Sequence, residues 1–451
     1  MGRLFGTDGI RAKYGESPLI KDFIINLGES IGYLLFKEDS NSNLLIARDT
    51  RPSGKDIETF LIQGASKYPI HIYLTDVLPT AALSYVIRRY NMNLGAMISA
   101  SHNLSQDNGI KFFSSKGFKI SDDFEKEIED LVMGGDKKKG KESIGGKAKI
   151  IDNKKDEFVK EYIRFTQERF KDLDLSGIKI VIDAAYGAVC NIADRIFSEL
   201  GAEVIAQNNR PEGKKINLNC GSQHPESIRH LVLDNRAHIG LSFDGDGDRV
   251  ILTDERGNVL DGDYIMAISG LYLSRKRRLN KNTLVATVMS NMGLDEALGK
   301  GDIKILRTQV GDKYVVEKMV EEGLNVGGEQ SGHIVFFDHN LTGDGIITSL
   351  QILEIMKEED SYLSQLSKCM EKFPQLLLNV KVRQRKPFSD IPYLDKTIDE
   401  FENRLNNHGR LIVRYSGTEP VIRIMVEGKD PDTIKKMGYR LAEIIRKDIG
   451  V

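Results

Sequence analysis

Short apolar runs alternate with stretches of helical periodicity along most of the chain. Apolar runs bounded by glycine, proline or small polar residues predict strands, and apolar positions three or four residues apart predict helices. The predicted strands lie at residues 44–47, 70–74, 94–98, 110–113, 178–183, 203–206, 238–243, 284–288 and 304–307. The predicted helices lie at residues 57–68, 158–170 and 189–200, with others ending near residue 234 and starting at residues 293 and 311. This alternation is typical of α/β layers.

The last part of the chain has a different pattern. Strands are predicted at residues 376–382, 410–415 and 421–427, and an amphipathic helix follows over residues 432–445. Consecutive strands followed by a helix indicate a smaller α+β unit. From the length and these patterns we expect four domains, over residues 1–150, 151–252, 253–368 and 369–451.

A turn-rich segment between two predicted strands carries the first candidate for chemistry. Ser101 and His102 follow the apolar run 94–98 and precede the short strand 110–113. Loops at strand ends are common positions for reactive groups. Neighbouring side chains on an extended chain point to opposite faces, so we expect His102 to be poorly placed as a base for Ser101. A polar turn without chemistry is the alternative.

Three aspartates alternate with glycines directly after the predicted strand 238–243. In an extended loop this spacing places Asp244, Asp246 and Asp248 on one face. Carboxylates so placed repel one another unless a cation lies between them, which suits Mg²⁺. An EF-hand is disfavoured, because Arg249 occupies the position where that loop needs glycine. A phosphatase with Asp244 or Asp246 as nucleophile, and a plain polar turn, stay open.

Two more loops combine glycine with groups that suit sugars or phosphates. The carboxylate of a glutamate in the loop 328–333 is able to accept hydrogen bonds from neighbouring sugar hydroxyls. Around residues 414–423, two hydroxyls and two guanidiniums are the groups that bind a phosphate dianion. Each loop alone also fits an ordinary turn. The candidate residues are Glu329, Ser331 and His333 in the first loop, and Arg414, Ser416, Gly417, Thr418 and Arg423 in the second.

Two other polar segments fit structural roles. Residues 134–147 are rich in glycine and lysine and predict a mobile surface connection. The loop at residues 48–54 fits a solvated turn as well as it fits a functional loop.

Composition narrows the class of protein. The 64 Lys and Arg nearly balance the 66 Asp and Glu, so charge does not indicate a nucleic-acid binder. Three widely spaced cysteines without a Cys-x-x-Cys indicate a reducing compartment and argue against a disulfide framework or a zinc site. The apolar runs are too short to span a bilayer, and the polar start of the chain has no secretory pattern. These features predict a cytoplasmic protein, and we expect neither a membrane nor a nucleic acid as its partner.

Four motifs in one order resemble those of the α-D-phosphohexomutases. They are Ser-Ala-Ser-His-Asn at 99–103, Asp-Gly-Asp-Gly-Asp-Arg at 244–249, Gly-Glu-Gln-Ser-Gly-His at 328–333 and Arg-Tyr-Ser-Gly-Thr-Glu-Pro at 414–420. The opening Gly-Thr-Asp-Gly-Ile-Arg at 6–11 and Gln330 look most like the phosphoglucosamine mutase branch of that family. The resemblance covers residues 3–428. Leu104 departs from it, because proline is usual there and would stiffen the turn.

The resemblance implies a fold and a set of roles. The fold would be three similar α/β domains with mixed sheets and a smaller C-terminal α+β domain around a central cleft. Ser101 would carry a phosphoryl group and bind Mg²⁺ together with the aspartates. The loops 328–333 and 414–420 would bind the sugar and the phosphate that is not transferred. The remaining catalytic residues that the resemblance implies are Arg11, His102, Lys111 and Arg249. A lysine among such cations is expected to have a lowered pKa and to help move protons.

The implied reaction interconverts glucosamine 6-phosphate and glucosamine 1-phosphate through glucosamine 1,6-bisphosphate, and feeds UDP-N-acetylglucosamine synthesis for cell-wall precursors. Dimers are frequent in the family, so a homodimer is one expected assembly. A phosphomannomutase or phosphoglucomutase with the same machinery stays open, because an amine and a hydroxyl differ by little binding energy. An aspartyl-phosphate phosphatase and a non-catalytic phosphosugar-binding protein are further alternatives.

Overall fold

The structure is a computed structural model that describes residues 4–134, 147–416 and 420–451. The predicted mobile connection at residues 134–147 therefore lies outside the described residues, apart from its two ends. Gly417 and Thr418 of the predicted phosphate loop also lie outside them.

The chain divides into two compact units, each described here by itself. The larger unit comprises Met1–Val288 and Ile303–Lys368, and the smaller unit comprises Met289–Asp302 and Cys369–Val451.

The first sheet of the larger unit has the strand order β1–β5–β4–β2–β3–β6. Its strands are β1 (Ile10–Lys13), β2 (Asn43–Arg48), β3 (His71–Val77), β4 (Leu94–Ile98), β5 (Asp107–Ser114) and β6 (Lys149–Ile151), and its helices are α1 (Lys21–Glu38), α2 (Gly54–Ala65), α3 (Thr80–Arg89) and α4 (Asp122–Met133). β5 pairs antiparallel with β1 and β4, and the other pairs are parallel. Gly28 allows helices α1 and α2 to approach closely, since a Cβ at this position would lie 2.1 Å from the Leu61 carbonyl oxygen.

The second sheet of the larger unit has the order β11–β10–β9–β7–β8. Its elements are α5 (Lys155–Arg169), β7 (Lys179–Asp183), α6 (Ala193–Glu199), β8 (Glu203–Gln207), α7 (Arg229–Asp234), β9 (Ile239–Phe243), β10 (Val250–Asp254), β11 (Val259–Leu260) and α8 (Gly262–Arg275). Strands β9 and β10 are buried along their whole length and pair antiparallel. The loop 244–249, which carries the aspartates, therefore connects two core strands.

The third sheet of the larger unit has the order β13–β12–β14–β15. This part of the chain contains β12 (Thr283–Thr287), α9 (Met292–Gly299), β13 (Lys304–Thr308), α10 (Asp312–Glu322), β14 (Val326–Gly328), β15 (Ile334–Phe336), α11 (Gly345–Glu358) and α12 (Leu363–Leu366). Helix α9 falls in the smaller unit. β14 and β15 form an antiparallel pair, and the loop 329–333 joins them.

The smaller unit has an antiparallel sheet in the order β16–β18–β17. Its remaining elements are β16 (Gln375–Lys381), α13 (Leu394–Leu405), β17 (Gly409–Tyr415), β18 (Val421–Gly428) and α14 (Pro431–Ile449). Leu441 and Ile445 of α14 pack with Ile422 and Ile424 of β18 in one apolar cluster. The C-terminal α+β unit predicted from the sequence is thus confirmed in its class.

The predicted α/β class with mixed sheets is confirmed, and several element bounds differ from expectation, among them the helix predicted at residues 57–68, which is observed at Gly54–Ala65. The helix predicted at residues 189–200 begins only at Ala193, because residues 188–192 form turns. The strand predicted at 110–113 extends over Asp107–Ser114, since it pairs with a neighbour on each side. Among the described residues, no helix is both long and apolar enough to cross a membrane.

Candidate active site

Ser101 lies just beyond the end of β4, in a turn rather than on extended chain. Its φ is +50°, a left-handed conformation that non-glycine residues adopt rarely. Its Oγ donates a hydrogen bond to Asp244 Oδ2 at 2.7 Å and lies 3.4 Å from His102 Nδ1. The expectation that Ser101 and His102 point to opposite faces is therefore wrong, because the backbone is not extended there.

The backbone of Ser101 is held from both sides. Ser99 Oγ accepts a hydrogen bond from the Ser101 N–H at 2.8 Å, while Arg51 and Asn217 each donate to the Ser101 carbonyl oxygen at 2.8 Å. Asp49 joins the two sides, since it accepts from Ser99 Oγ at 2.6 Å and from Arg51 Nε at 2.8 Å. The Arg51 side chain is fully buried. The loop 48–54 is therefore not a solvated turn.

Arg51 also fixes the rest of the serine loop, which is residues 99–106 between β4 and β5. Its guanidinium donates to the carbonyl oxygens of Asn103, Leu104 and Asp107, in addition to that of Ser101. Hydrogen bonds from a charged group are stronger than neutral ones. The rigidity that a proline at residue 104 would bring is supplied here by hydrogen bonds from a buried arginine.

The aspartates of the loop 244–249 meet as their alternating spacing predicts. One carboxylate oxygen from each of Asp244, Asp246 and Asp248 lies within 4.8 Å of the others, and all three side chains are buried. Gly245 allows the close approach to the serine loop, because a Cβ there would lie 2.6 Å from the Ser101 carbonyl oxygen. The glycine between the first two aspartates is thus required by the approach of the serine backbone.

The aspartate cluster has the properties of a divalent cation site. Within the described part of the chain, Asp246 Oδ1 and Asp248 Oδ1 are buried without a hydrogen-bond partner. Burial, together with the charges of Asp248 and Asp246, raises the pKa of Asp244 well above its ordinary value. A cation would relieve both the repulsion and the unsatisfied oxygens, and an all-oxygen donor set suits a hard ion. The residues present therefore fit a metal ion such as Mg²⁺.

Lys111 reaches the aspartates from β5. Its Nζ lies 2.7 Å from Asp246 Oδ2, 3.4 Å from Asp248 Oδ2 and 3.6 Å from Asp8 Oδ2. Burial alone would lower the pKa of Lys111, but these carboxylates outweigh it and raise that pKa. The expected lowered pKa is wrong, because Lys111 is surrounded by carboxylates rather than by cations. Lys111 is therefore a buried cation in this structure.

His102 and two arginines line the other side of Ser101. Burial, and then the charges of Arg249 and Arg11, lower the pKa of His102 to about 3, so its ring is neutral at neutral pH. Arg249 donates to His102 Nδ1 at 3.0 Å, and Arg11 donates to the Ala100 carbonyl oxygen at 3.2 Å. Among the described side chains, the Nε atoms of both arginines are buried without a hydrogen-bond partner. Two such donors beside a serine hydroxyl suit an anion.

The loop between β14 and β15 holds Glu329 in a fixed orientation. Glu329 Oε1 accepts from the Gly311 N–H at 3.0 Å, and Ser331 Oγ donates to Glu329 Oε2 at 3.4 Å. His333 is buried, with its two ring nitrogens 3.6 Å from Asp248 Oδ2 and 3.7 Å from Asp312 Oδ2. His333 thus contacts the aspartate loop as well as the first residue of α10.

The second candidate phosphate site belongs to the smaller unit. Arg414 of β17 and Arg423 of β18 are directly opposed in the antiparallel pair. Burial, and then the charge of the opposed Arg423, lower the pKa of Arg414. Arg385 donates to the Ser416 carbonyl oxygen at 2.6 Å and adds a third guanidinium. Opposed cations of this kind favour a bound anion.

Sequence reasoning missed several residues that shape the site. They are Asp8, Asp49, Arg51, Lys119, Asn217, Asp312 and Arg385. Asp8 lies in the motif at residues 6–11 and Arg51 in the loop 48–54, so their neighbourhood was visible. The contacts that tie them to the site, from Asp8 to Lys119 and from Arg51 to the Ser101 carbonyl oxygen, join residues far apart in sequence, and spacing therefore could not reveal them.

Comparison with known proteins agrees with this geometry. The chain matches family models for phosphoglucomutase/phosphomannomutase alpha/beta/alpha domain I at residues 2–139, domain II at 158–257 and domain III at 261–373, and for the C-terminal domain at 377–444. A phosphoglucosamine mutase of Anaeromyxobacter sp. (strain Fw109-5) is 44% identical over 99% of this chain and 96% of that protein. The chain belongs to the phosphoglucosamine mutase family.

Solved structures share the fold of this phosphoglucosamine mutase family member. A phosphoglucomutase/phosphomannomutase family protein from Burkholderia thailandensis superposes with a TM-score of 0.80 at 20% identity, over 100% of this chain and 99% of that chain. The N-acetylphosphoglucosamine mutase of Aspergillus fumigatus, solved with GlcNAc-6P and magnesium, gives a TM-score of 0.69 at 17% identity, over 98% of this chain and 95% of that chain.

Proposed function

We propose that this chain interconverts glucosamine 6-phosphate and glucosamine 1-phosphate, with Ser101 as the residue that carries the transferred phosphoryl group. The observation that supports it most is the Ser101 hydroxyl, 2.7 Å from Asp244 in a cluster of three buried aspartates. Membership of the phosphoglucosamine mutase family favours this reaction over the phosphomannomutase and phosphatase alternatives.

The aspartate cluster is the proposed metal site. Asp244, Asp246 and Asp248, with an oxygen of the Ser101 phosphate, would hold one Mg²⁺ ion. When bound, the ion neutralises part of the charge on the phosphoryl group. The magnesium-containing relative from Aspergillus fumigatus supports this choice of metal.

In the first half-reaction the phosphoryl group leaves Ser101 and passes to the C1 hydroxyl of glucosamine 6-phosphate. The bond from Ser101 Oγ to phosphorus breaks and the bond from O1 to phosphorus forms. The C1 hydroxyl loses one proton and Ser101 Oγ gains one, so the number of protons is unchanged. The protonated Oγ then donates to Asp244, as it does in this structure. The product is glucosamine 1,6-bisphosphate.

In the second half-reaction the bisphosphate is turned round and Ser101 takes its 6-phosphoryl group. The bond from O6 to phosphorus breaks, the bond to Oγ forms, and the serine proton passes to O6. Glucosamine 1-phosphate leaves and the phosphoserine is restored. Arg11 and Arg249, whose Nε atoms make no hydrogen bond among the described residues, would bind the phosphoryl oxygens during each transfer together with the cation of Lys111.

The remaining candidate residues have proposed roles in binding. Glu329, Ser331 and His333 would orient the sugar, and Arg414, Ser416 and Arg423 would bind a substrate phosphate together with Gly417 and Thr418. His102, neutral at neutral pH, would hold the Arg249 guanidinium beside Ser101. The four domain boundaries expected from the sequence, and assembly as a homodimer, stay predictions.

A matched pair of serine variants tests the proposed mechanism. Ser101→Ala removes the acceptor oxygen, and we expect turnover of glucosamine 6-phosphate to fall by at least about 10³-fold, because covalent transfer is lost. Ser105→Ala alters the same loop without the reacting oxygen and should stay within about twofold of wild type. Full turnover by Ser101→Ala, measured with Mg²⁺ and a trace of sugar 1,6-bisphosphate, would contradict the mechanism.

The same assay tests the sugar. Glucosamine 6-phosphate, mannose 6-phosphate and glucose 6-phosphate are compared side by side, and kcat/KM for glucosamine 6-phosphate should lead by about tenfold or more, which is about 1.4 kcal/mol. A lead by mannose or glucose phosphate would assign a different sugar to the same mechanism. Release of free phosphate without isomerisation would support the phosphatase instead.

A further inference from the structure

Five charged side chains and the imidazole of His333 form a closed ring in the larger unit. Going round it, the groups are Lys111, Asp8, Lys119, Asp312, His333 and Asp248, so that nitrogen and carboxylate groups alternate. The successive nitrogen-to-oxygen distances are 3.6, 2.6, 2.6, 3.7, 3.6 and 3.4 Å. One part of the ring therefore contains the Lys111 and Asp248 of the proposed transfer site, and the opposite part contains Lys119.

Lys119 makes the two shortest contacts of this ring. Its Nζ lies 2.6 Å from Asp8 Oδ1 and 2.6 Å from Asp312 Oδ2, and its side chain is only 14% exposed. Its backbone bridges Phe113 of β5, the strand that also carries Lys111. Lys119 is thus anchored to the same sheet as Ser101, while one of its two carboxylate partners lies on α10.

The contact with Asp312 continues to the proposed sugar loop. Asp312 is the first residue of α10, and the Gly311 N–H directly before it donates to Glu329 Oε1 at 3.0 Å. Asp312 Oδ2 also lies 3.7 Å from His333 Nε2. His333 Nε2 accepts a hydrogen bond from the Gly343 N–H at 3.2 Å, so a shift of the start of α10 would displace Glu329 first, through its hydrogen bond from Gly311.

We propose that Lys119 is a positioning residue, which sets the sugar loop 329–333 at the correct distance from Ser101 by bridging Asp8 and Asp312. This role rests on the proposed function, because it assumes that Glu329 binds the sugar while Ser101 transfers phosphate. Small displacements between reacting groups lower transfer rates strongly, whereas chemistry that does not use the sugar is unaffected. Lys119 acts through its carboxylate partners and need not touch the substrate.

The chain provides a matched control at the neighbouring residue of α10. Lys313 is 10% exposed and joins α10 to α4 through Asp122 at 2.5 Å and Glu125 at 3.2 Å. Lys119 and Lys313 therefore both have largely buried side chains that connect α10 to the first part of the chain by ion pairs, although Asp122 itself is exposed. Only Lys119 belongs to the ring that includes Lys111 and His333. A purely structural role predicts similar effects of the two lysines on turnover.

The experiment compares Lys119→Met with Lys313→Met in the full-length enzyme. We expect Lys119→Met to lower kcat/KM for glucosamine 6-phosphate by at least about tenfold, and Lys313→Met to leave it within about twofold. Lys119→Arg, which keeps the charge, should recover most of the loss. In Lys119→Met enzyme phosphorylated at Ser101, phosphate release to water without sugar should stay at the wild-type rate.

Two further measurements keep the role open to refutation. Asp312→Asn keeps the shape of the side chain but removes its charge, and it should reproduce the kinetic defect of Lys119→Met. The double variant should lose no more activity than either single variant. Equal losses in Lys119→Met and Lys313→Met, or equal losses in sugar transfer and phosphoserine hydrolysis, would overturn the positioning role. A wild-type enzyme without mutase turnover would instead overturn the proposed function.

Discussion

The serine loop and the aspartate loop meet at Ser101 and Asp244, but their buried polar groups have hydrogen-bond partners to different degrees. Both backbone groups of Ser101 have hydrogen-bond partners, and Arg51 binds several neighbouring carbonyl oxygens. In the aspartate loop, Asp246 Oδ1 and Asp248 Oδ1 are buried without a hydrogen-bond partner among the described residues. The first loop is held by the protein alone, and the second is arranged for a ligand that the protein does not supply.

This difference corresponds to two functions of a phosphoryl-transfer site, which are to hold the reacting oxygen and to bind a metal ion. A reacting oxygen must be held within a fraction of an ångström, so the groups that hold it are best fixed in advance. A metal site must gain free energy when the ion binds, so its carboxylates are best left in repulsion until then. Removing a hydrogen-bonding side chain from the serine loop should therefore lower stability, whereas removing a charge from the metal-free aspartate loop should raise it.

After the loss of Ser101 itself, the largest expected effect is that of Asp244→Asn in the aspartate loop. Turnover should fall by about 10²–10³-fold, because charge stabilisation by a metal ion contributes several kcal/mol. In the presence of chelator, however, the variant should be more stable than wild type by on the order of 1 kcal/mol at neutral pH, since one buried charge is gone. Thermal unfolding with excess EDTA measures this difference.

The pH dependence of that stability gain follows from the raised pKa of Asp244. The pKa is higher in the folded protein than the unfolded value of about 3.9, so the charged form destabilises the folded protein above that pH. Below it, Asp244 is protonated in both states and the variant has no advantage. The gain should therefore appear as the pH rises from about 4. A variant less stable than metal-free wild type at neutral pH would contradict the comparison.

A smaller effect is expected for Ser99→Ala in the serine loop. Ser99 Oγ accepts from the Ser101 N–H, and its loss leaves that buried donor unsatisfied. We expect kcat to fall by up to about tenfold and the free energy of unfolding to fall by about 1 kcal/mol. Ser30→Ala is the control, because this buried serine donates to the Asn26 carbonyl oxygen in α1, away from the serine loop. Equal kinetic losses in both variants would argue against the serine-loop network.

The smallest expected effect is that of Leu104→Pro. Arg51 already holds the carbonyl oxygen of residue 104, and proline keeps that acceptor. Turnover should stay within about twofold, and the free energy of unfolding should rise by about 0.4–1 kcal/mol, through lower entropy of the unfolded chain. Kinetics and chemical denaturation measure the two quantities. A rise in turnover of several-fold would show that hydrogen bonds from Arg51 leave the serine loop too mobile.

The sequence by itself determined the fold class and the family, and it predicted a set of candidate site residues. Alternation of apolar runs with helical periodicity predicted the α/β layers, and the spacing of Asp244, Asp246 and Asp248 predicted that their oxygens meet. These features depend on residues that are close in sequence, where backbone geometry alone fixes which side chains share a face.

Only the tertiary structure decided how the candidate residues are charged and held. Lys111 was expected to lie among cations, but contacts with Asp246 and Asp8, each more than 100 residues away, raise its pKa instead. The sequence around Arg51 also fits a solvated turn, but in the folded protein Arg51 is buried and donates hydrogen bonds to carbonyl oxygens of the serine loop. Burial and long-range charge depend on what the folded chain brings together, and neither is encoded in local spacing.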